Sequence, residues 1–469
     1  MPSDNPRTLE IPAYWDHHRD PGNYWPFVNG FTNDYLLSWF DQFYPEMRDE
    51  CETKQGYPIG LCRSIEVENT WRQPHNCENF FYPIALHWWL NSTRWDRNAN
   101  KLWLENFTLD HFVLSAIAQK RCTILLHNYW EGWDAQRWLE IVYLIQSKYP
   151  EITRDDFLVV SNNLAIKDSI RSVGIAFFQE LAQSSGQWAN IGSLHQHLKK
   201  SIQERSSRRY RFVSLNRRPS SARWATMTLL YPDRHIGLLS FGLYTDLTDN
   251  TGNIGYLETE YKNRIQSRLA DPTTNEYASL SGFSNRYPEA FRSYLDQEIQ
   301  GELPLIISDN IDIRTNPNAD NSIDKFISTY LHIVTETYMD NTGLEPGEVA
   351  DRMHFSEKTF KPIWYLQPFV LCAEPHALKY LRSLGYETFG RWIDETYDDI
   401  LDNQQRIATS IAAAKKFYQR DAAKIDDDML EMLPVLQHNY QCLCNNAGNL
   451  PSNLIAAMNM QKQHAYKLA

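Results

Sequence analysis

The chain has 469 residues, 42% of them hydrophobic and 22% charged, with a formal net charge of −12. Such a length exceeds what one hydrophobic core ordinarily serves, so two domains are expected, and the composition excludes a disordered or fibrous chain. The acidic balance argues against non-specific polyanion binding, and no stretch reaches the roughly 18 apolar residues that span a bilayer.

Residues 1–100 are rich in Trp, Asn, Pro and Tyr without a clear period, so little regular structure is expected there. Phe112–Lys120 reads as a helix and Cys122–His127 as a buried strand. Ala135–Gln146 is a helix with Trp138, Ile141, Val142 and Ile145 on one face, and Phe157–Ser161 is again a strand. Strand, helix and strand within some 40 residues make a βαβ unit, hence a parallel sheet covered by helices. Gln196–Arg209 is polar and basic and marks the expected domain boundary.

Beyond it the alternation restarts. Strands are expected at Arg211–Leu215, Ile236–Ser240, Pro304–Ser308, Tyr330–Thr335 and Phe369–Cys372. Helices are expected at Ala222–Tyr231, Tyr287–Gln300 and around Phe360–Leu366, with a loop-rich stretch over Thr245–Asn285. The tail reads as helices Tyr397–Phe417, Asp428–Cys444 and Leu454–His464. The fold class is therefore α/β, with two Rossmann-like domains, 1–195 and 196–445, facing a central cleft, and a helical tail at 446–469.

Seven cysteines at 51, 62, 77, 122, 372, 442 and 444 include no CxxC pair, and Cys122 and Cys372 lie inside apolar runs. An odd count with buried members points to reduced thiols and a cytoplasmic protein. The N-terminal segment has no apolar h-region, so neither secretion nor membrane attachment is expected.

Two short segments carry the chemistry. Ser214-Leu-Asn-Arg-Arg-Pro219, followed by Arg223, runs from a strand into a helix, and Pro219 suits the first helical position. Phe355-Ser-Glu-Lys-Thr-Phe-Lys-Pro362 opens a second helix, with Ser356 as its N-cap. Free N–H groups at a helix start beside Arg or Lys make a site for phosphate, so the pair suggests one diphosphate gripped from two sides. Pro362 resists a regular helix, because an interior Pro costs about 3 kcal/mol. Either the helix begins near Lys361 or it is kinked.

These segments resemble the donor-binding half of GT-B nucleotide-sugar glycosyltransferases, and more narrowly the α1,3-fucosyltransferase pattern of an Asn-Arg pair followed by Ser/Thr-Glu-Lys. They are also similar to glycosyltransferase-like proteins of large phages and giant viruses. Those share the Ser-Glu-Lys-Thr-Phe-Lys-Pro run and a segment like Tyr380-Leu-Arg-Ser-Leu-Gly-Tyr-Glu-Thr-Phe389, followed here by Asp394-Glu-Thr-Tyr-Asp398. The resemblance covers roughly residues 205–445. It implies an inverting transfer of a sugar from a nucleotide-diphosphate donor to an acceptor hydroxyl, in the host cytoplasm if the chain is viral.

On that resemblance Arg217 is the first choice for the diphosphate and Arg218 or Arg223 the second, with Asn216 beside them. Lys358 is a further phosphate ligand, and Glu357 a ribose-hydroxyl acceptor. Glu336, at the C-terminal end of a strand, is a donor-sugar or ribose contact, or else an acid facing solvent. Without the resemblance, the arginines read as exposed residues on a solvated helix start, and Ser356-Glu357 as an ordinary capping start.

The general base is expected from the first domain. His127-Asn-Tyr-Trp-Glu-Gly-Trp-Asp134 offers Glu131 first, then His127 and Asp134, with Asp110 in reserve. Glu131 and Asp134 equally suit the cap of the following helix. No metal or other cofactor is implied. Asp426-Asp-Asp428 reads as a helix N-cap, and Asp16-His-His-Arg-Asp20 lies in the poorly patterned N-terminal region.

The acceptor is a glycan or glycoconjugate, or a hydroxymethylated pyrimidine in viral DNA. DNA would need the basic run Arg205-Ser-Ser-Arg-Arg-Tyr-Arg211. A non-catalytic glycan-binding or structural protein of the same fold is the remaining alternative.

Overall fold

In the computed structural model the described residues are 80–85, 109, 111–128, 133, 135–166, 171–174, 191–216, 220–241, 267, 270–272, 327–336 and 352–446. They form a mixed α/β fold with two four-stranded sheets, every pairing parallel. The chain divides into two compact units, one of residues 1–177, 351–354 and 448–469, the other of 178–350 and 355–447. The segments expected at Tyr287–Gln300, Pro304–Ser308 and Leu454–His464, and all of Thr245–Asn285 except residues 267 and 270–272, lie outside the described residues. No helix among the described residues is long and apolar enough to cross a membrane.

The first unit's sheet runs β1 (Phe80–Ala85), β2 (Cys122–Asn128), β3 (Phe157–Ser161), β4 (Ser172–Gly174), in that order. Two helices, α1 (His111–Ala118) and α2 (Ala135–Lys148), connect β1 to β2 and β2 to β3. The expected face of α2 is the one that is buried: Trp138, Ile141, Val142 and Ile145 pack with Val113, Ile117, Ile124, Leu126, Phe157 and Val159 in one core. This follows from the 3.6-residue period meeting the two-residue period of the strands. Gly174 ends β4 against the turn that follows β3, where an added Cβ would meet the Asn163 carbonyl oxygen at 2.3 Å.

In the second unit the sheet order is β6 (Leu238–Phe241), β5 (Tyr210–Asn216), β7 (Thr329–Thr335), β8 (Phe369–Cys372). Around it lie α3 (Ile191–Gln203), α4 (Ser221–Leu230), α5 (Glu357–Trp364), α6 (Ala377–Ser383), α7 (Asn403–Tyr418) and α8 (Ala422–Asn446). Side chains alternate across the sheet. Phe212, Phe241 and Cys372 share one face and meet Tyr418 of α7, Trp224 of α4 and Ser410 of α7. Tyr330 and His332 share the other face, toward Asp426 of α8 and Lys361 of α5. α4 and α7 therefore cover one side and α5 and α8 the other, a three-layer arrangement.

Several boundaries differ from expectation. Of the polar stretch Gln196–Arg209, the part up to Gln203 belongs to α3, which buries Leu198 and Ile202 one turn apart. α4 begins at Ser221 with Ser220 as its N-cap, so Pro219 stands before the cap rather than at the first helical position. α5 begins at Glu357, not near Lys361, and carries Pro362 as its sixth residue. Asp426–Asp428 lies inside α8, whose first residue is Ala422, rather than capping it.

Candidate functional site

β5 pairs with β6 up to its last residue, Asn216↔Phe241, and β7 pairs with β8 up to its last residue, Thr335↔Cys372. Between β5 and β7 the ladder stops at Val213↔His332, three residues short of both strand ends. Here the strand order reverses and the two following helices leave to opposite faces, α4 to one and α5 to the other. A parallel sheet opens a crevice at such a switch point, outside the carboxyl ends of the strands, and ligands of open α/β sheets bind there.

On the α4 face the strand ends at this point carry Ser214, Asn216 and Thr335, all at most 3% exposed. The Asn216 Nδ2 donates to Ser214 Oγ at 3.0 Å, and its backbone N–H donates to Ser240 Oγ at 3.3 Å. The Asn216 Oδ1 and the Thr335 Oγ1 have no hydrogen-bond partner among the described residues. A buried orphan of this kind is costly, about 1–3 kcal/mol, and its natural completion is a hydrogen bond from or to a bound molecule. The Ser214 hydroxyl can donate as well as accept, so the carboxamide can present either its oxygen or its NH2 to the crevice.

On the α5 face, Glu336 follows Thr335 and is 0% exposed. Its Oε1 accepts the Ser356 N–H at 3.0 Å and the Thr359 Oγ1–H at 2.5 Å, and its Oε2 accepts the Ser356 Oγ–H at 2.6 Å. The Ser356 Oγ in turn accepts from the Lys358 N–H at 3.3 Å and from Lys358 Nζ at 3.0 Å. Ser356 is thus the N-cap, as its position before a helical run implies. Glu336 does not face solvent. Its carboxylate locks the first turn of α5, a helix end that favours negative charge. The phosphate-accepting donors expected at this helix start are largely taken by the protein itself, which leaves the Lys358 ammonium as the group that brings positive charge to it.

Arg223 lies in the first turn of α4 and is 6% exposed, its backbone N–H donating to Ser220 Oγ at 3.4 Å. Arg217 and Arg218 lie outside the described residues, as does the Glu357 side chain. In the first unit, Glu131, Asp110 and Asp134 lie outside them too. His127 is described only as backbone near the end of β2, paired with Val160. Asn216 and Arg223 thus stand on the α4 side of the sheet's carboxyl edge, and Glu336, Ser356 and Lys358, bonded to one another, on the α5 side. Thr335 and the partnership of Glu336 with Ser356 were not foreseen, although Thr335 adjoins Glu336 in the sequence.

Cys372, beside Thr335 on the same face, is fully buried. Burial pushes its thiol up to about 11, against a weaker pull from the Ser410 hydroxyl. Among the described residues, no three His, Cys, Asp or Glu side chains come together as a metal set would. Comparison with protein-family models, with curated proteins and with solved structures returned no match.

Proposed function

We propose that the chain is a nucleotide-diphosphate-sugar glycosyltransferase of the GT-B type, inverting and metal-independent, with the donor held by the second unit and the acceptor by the first. The observation that supports it best is the meeting of the two motifs. One carries Asn216 at the end of β5 and the other carries Ser356, which is bonded to the residue that follows β7, and β5 and β7 flank the switch point. Residues more than a hundred positions apart in the chain thus border one crevice of the kind that binds nucleotides in open parallel sheets. In this reading Asn216 and Thr335 take ligand hydroxyls, and Arg217 with Lys358 compensates the charge that builds on the departing diphosphate. Glu131 takes the acceptor proton.

The test is binding before chemistry. A thermal-shift panel of GDP-, UDP-, dTDP- and CMP-sugars should single out one donor. Calorimetry with that donor should find it held roughly ten- to a hundredfold more weakly by Arg217→Ala and by Lys358→Ala, as expected for a charge-assisted bond of about 1.5–3 kcal/mol. No stabilisation by any member of the panel, or wild-type affinity in both variants, overturns the reading.

A further inference from the structure

After β8 the chain turns through Glu374-Pro375-His376-Ala377 into α6. The Ala377 N–H donates to the Glu374 carbonyl at 3.3 Å, and His376 has φ 66° and ψ 17°. This is a type II turn with Pro at its second place, and its third place needs a positive φ, normally supplied by Gly or Asn. A larger L-residue there costs about 1–2 kcal/mol. Among the described residues the other non-Gly residues with positive φ are Lys120, Arg205 and Leu366. Each stands just past the C-terminal end of a helix, where the left-handed conformation is an ordinary stop. His376 instead precedes a helix, where the backbone is normally extended.

The Asp394–Asp398 motif and its neighbour Asp399 hold this turn in place. The Asp398 carbonyl accepts the His376 N–H at 2.7 Å, and its buried carboxylate accepts the N–H groups of Leu378 at 2.9 Å and Lys379 at 3.1 Å. The Asp399 Oδ1 lies 3.2 Å from His376 Nδ1. The imidazole is oriented through Nδ1, while its Nε2 makes no hydrogen bond among the described residues and the side chain is 27% exposed. A glycine would form this turn without strain, so what histidine adds is the imidazole. It stands beyond the carboxyl end of β8, the strand next to β7, on the sheet edge that carries Asn216 and Thr335.

We propose that His376 is a contact for the donor diphosphate, an inference that rests on the glycosyltransferase reading above. With Nδ1–H given to Asp399, a neutral imidazole has only a lone pair at Nε2. Once protonated, it offers a second N–H, which makes a charge-assisted bond to a phosphate oxygen. Donor affinity must then fall as the imidazole loses its proton. The charged groups around it are Asp398 and Asp399, Glu374 in the same turn, Lys379 on the first turn of α6, and Arg382, which approaches Asp398 at 4.0 Å. Burial, foremost, raises the Asp398 pKa.

The probe is the nucleotide-diphosphate sugar that gives the largest thermal shift, whose diphosphate diester does not titrate near neutrality. Its affinity is measured by calorimetry at the lower and at the upper end of the pH range over which the protein stays folded. Wild type should lose roughly tenfold or more across this range, the lower end of a charge-assisted bond. His376→Gly suits the turn and should keep its stability, bind at the lower pH as wild type does at the higher, and show no pH dependence. Asp399→Asn should keep part of the dependence. If His376→Gly keeps both affinity and pH dependence while Lys358→Ala still weakens binding, the inference on His376 falls and the donor site stands. If wild type binds no nucleotide sugar at either pH, the glycosyltransferase reading falls and takes His376 with it.

Discussion

Glu336 and Ser356 are joined twice, the carboxylate taking the serine's amide hydrogen at 3.0 Å and its hydroxyl hydrogen at 2.6 Å. One buried acid at the end of β7 thereby fixes the N-cap of α5, and through Ser356 Oγ it also fixes the backbone and ammonium of Lys358. The acid at the end of this strand holds the first turn of the helix beside it. Glu336→Ala strands the Ser356 and Thr359 donors in a dry site, so it should destabilise the fold by about 1–3 kcal/mol or more. Urea unfolding measures the loss, and hydrogen exchange should show faster opening at Lys358 and Thr359 than at β5. An α5 as protected as in wild type would show that another group caps it.

His332, under α5, is a second buried polar residue with a measurable consequence. Burial, and next the Lys361 ammonium, pushes its pKa down to about 3 from an ordinary 6.5. Between those values the unfolded chain binds a proton that the native imidazole refuses. The stability linked to it is therefore complete above about pH 6.5 and is lost progressively as the pH falls toward 3. Glu395, Asp398 and Asp426 act in the opposite sense, since burial raises their pKa values. Comparison with His332→Leu isolates the histidine. Urea midpoints should drop less between about pH 7 and pH 5 in that variant than in wild type. Equal drops would assign the acid limb to other groups.

The basic run at Arg205–Arg211 lies around the start of β5, the edge opposite the switch point, and much of it is engaged within the protein. Arg208 is 9% exposed, donates to the Thr329 carbonyl at 2.6 Å and sits over the Tyr330 ring, and burial lowers its pKa to about 10. Arg205 pairs with Asp427 at 2.5 Å, and Tyr330 is hydrogen-bonded to Asp426. Asp426 and Asp427 inside α8 face the basic run and offset part of its charge, and the chain as a whole is acidic. Duplex DNA should therefore show no measurable binding near physiological salt. Arg208→Ala should cost about 1.5–3 kcal/mol of stability, the worth of a hydrogen bond to a charged group. A gel shift with tight binding that weakens steeply as salt rises, and that disappears when Arg205, Arg208, Arg209 and Arg211 are all changed to Ala, would instead favour a DNA acceptor.

Which elements were legible follows from how much period each one carries. β2, α2, β3, β5, β7 and β8 combine apolar runs or one buried stripe with clear stops, and their cores are where the pattern puts them. β1 was hidden by Pro83, which argues against a central strand. Among the described strands β1 pairs only with β2, and Pro is tolerated on such an edge. In α3 the buried apolar residues among the described side chains are Leu198 and Ile202, set within a polar and basic stretch that reads as a linker. At the site, Asn216 and Ser356 were legible because a turn and a cap have local signatures. That the β5–β7 ladder stops short, that Thr335 lacks a partner among the described residues, and that Glu336 turns toward α5 are tertiary facts, and no local pattern encodes them.

Thr335 allows the site to be tested against simple core packing. Its hydroxyl is buried without a partner among the described residues, at the end of a strand where a β-branched side chain fits well. Thr335→Val keeps the shape and removes the unsatisfied group, so the unliganded protein should be as stable as wild type or gain up to about 1 kcal/mol in urea unfolding. If the crevice holds a donor, the same change leaves a ligand hydroxyl without its partner and should weaken binding roughly tenfold. Opposite signs for stability and affinity are the mark of a polar group kept for function. A drop in stability with unchanged affinity would make Thr335 a structural residue and remove it from the site.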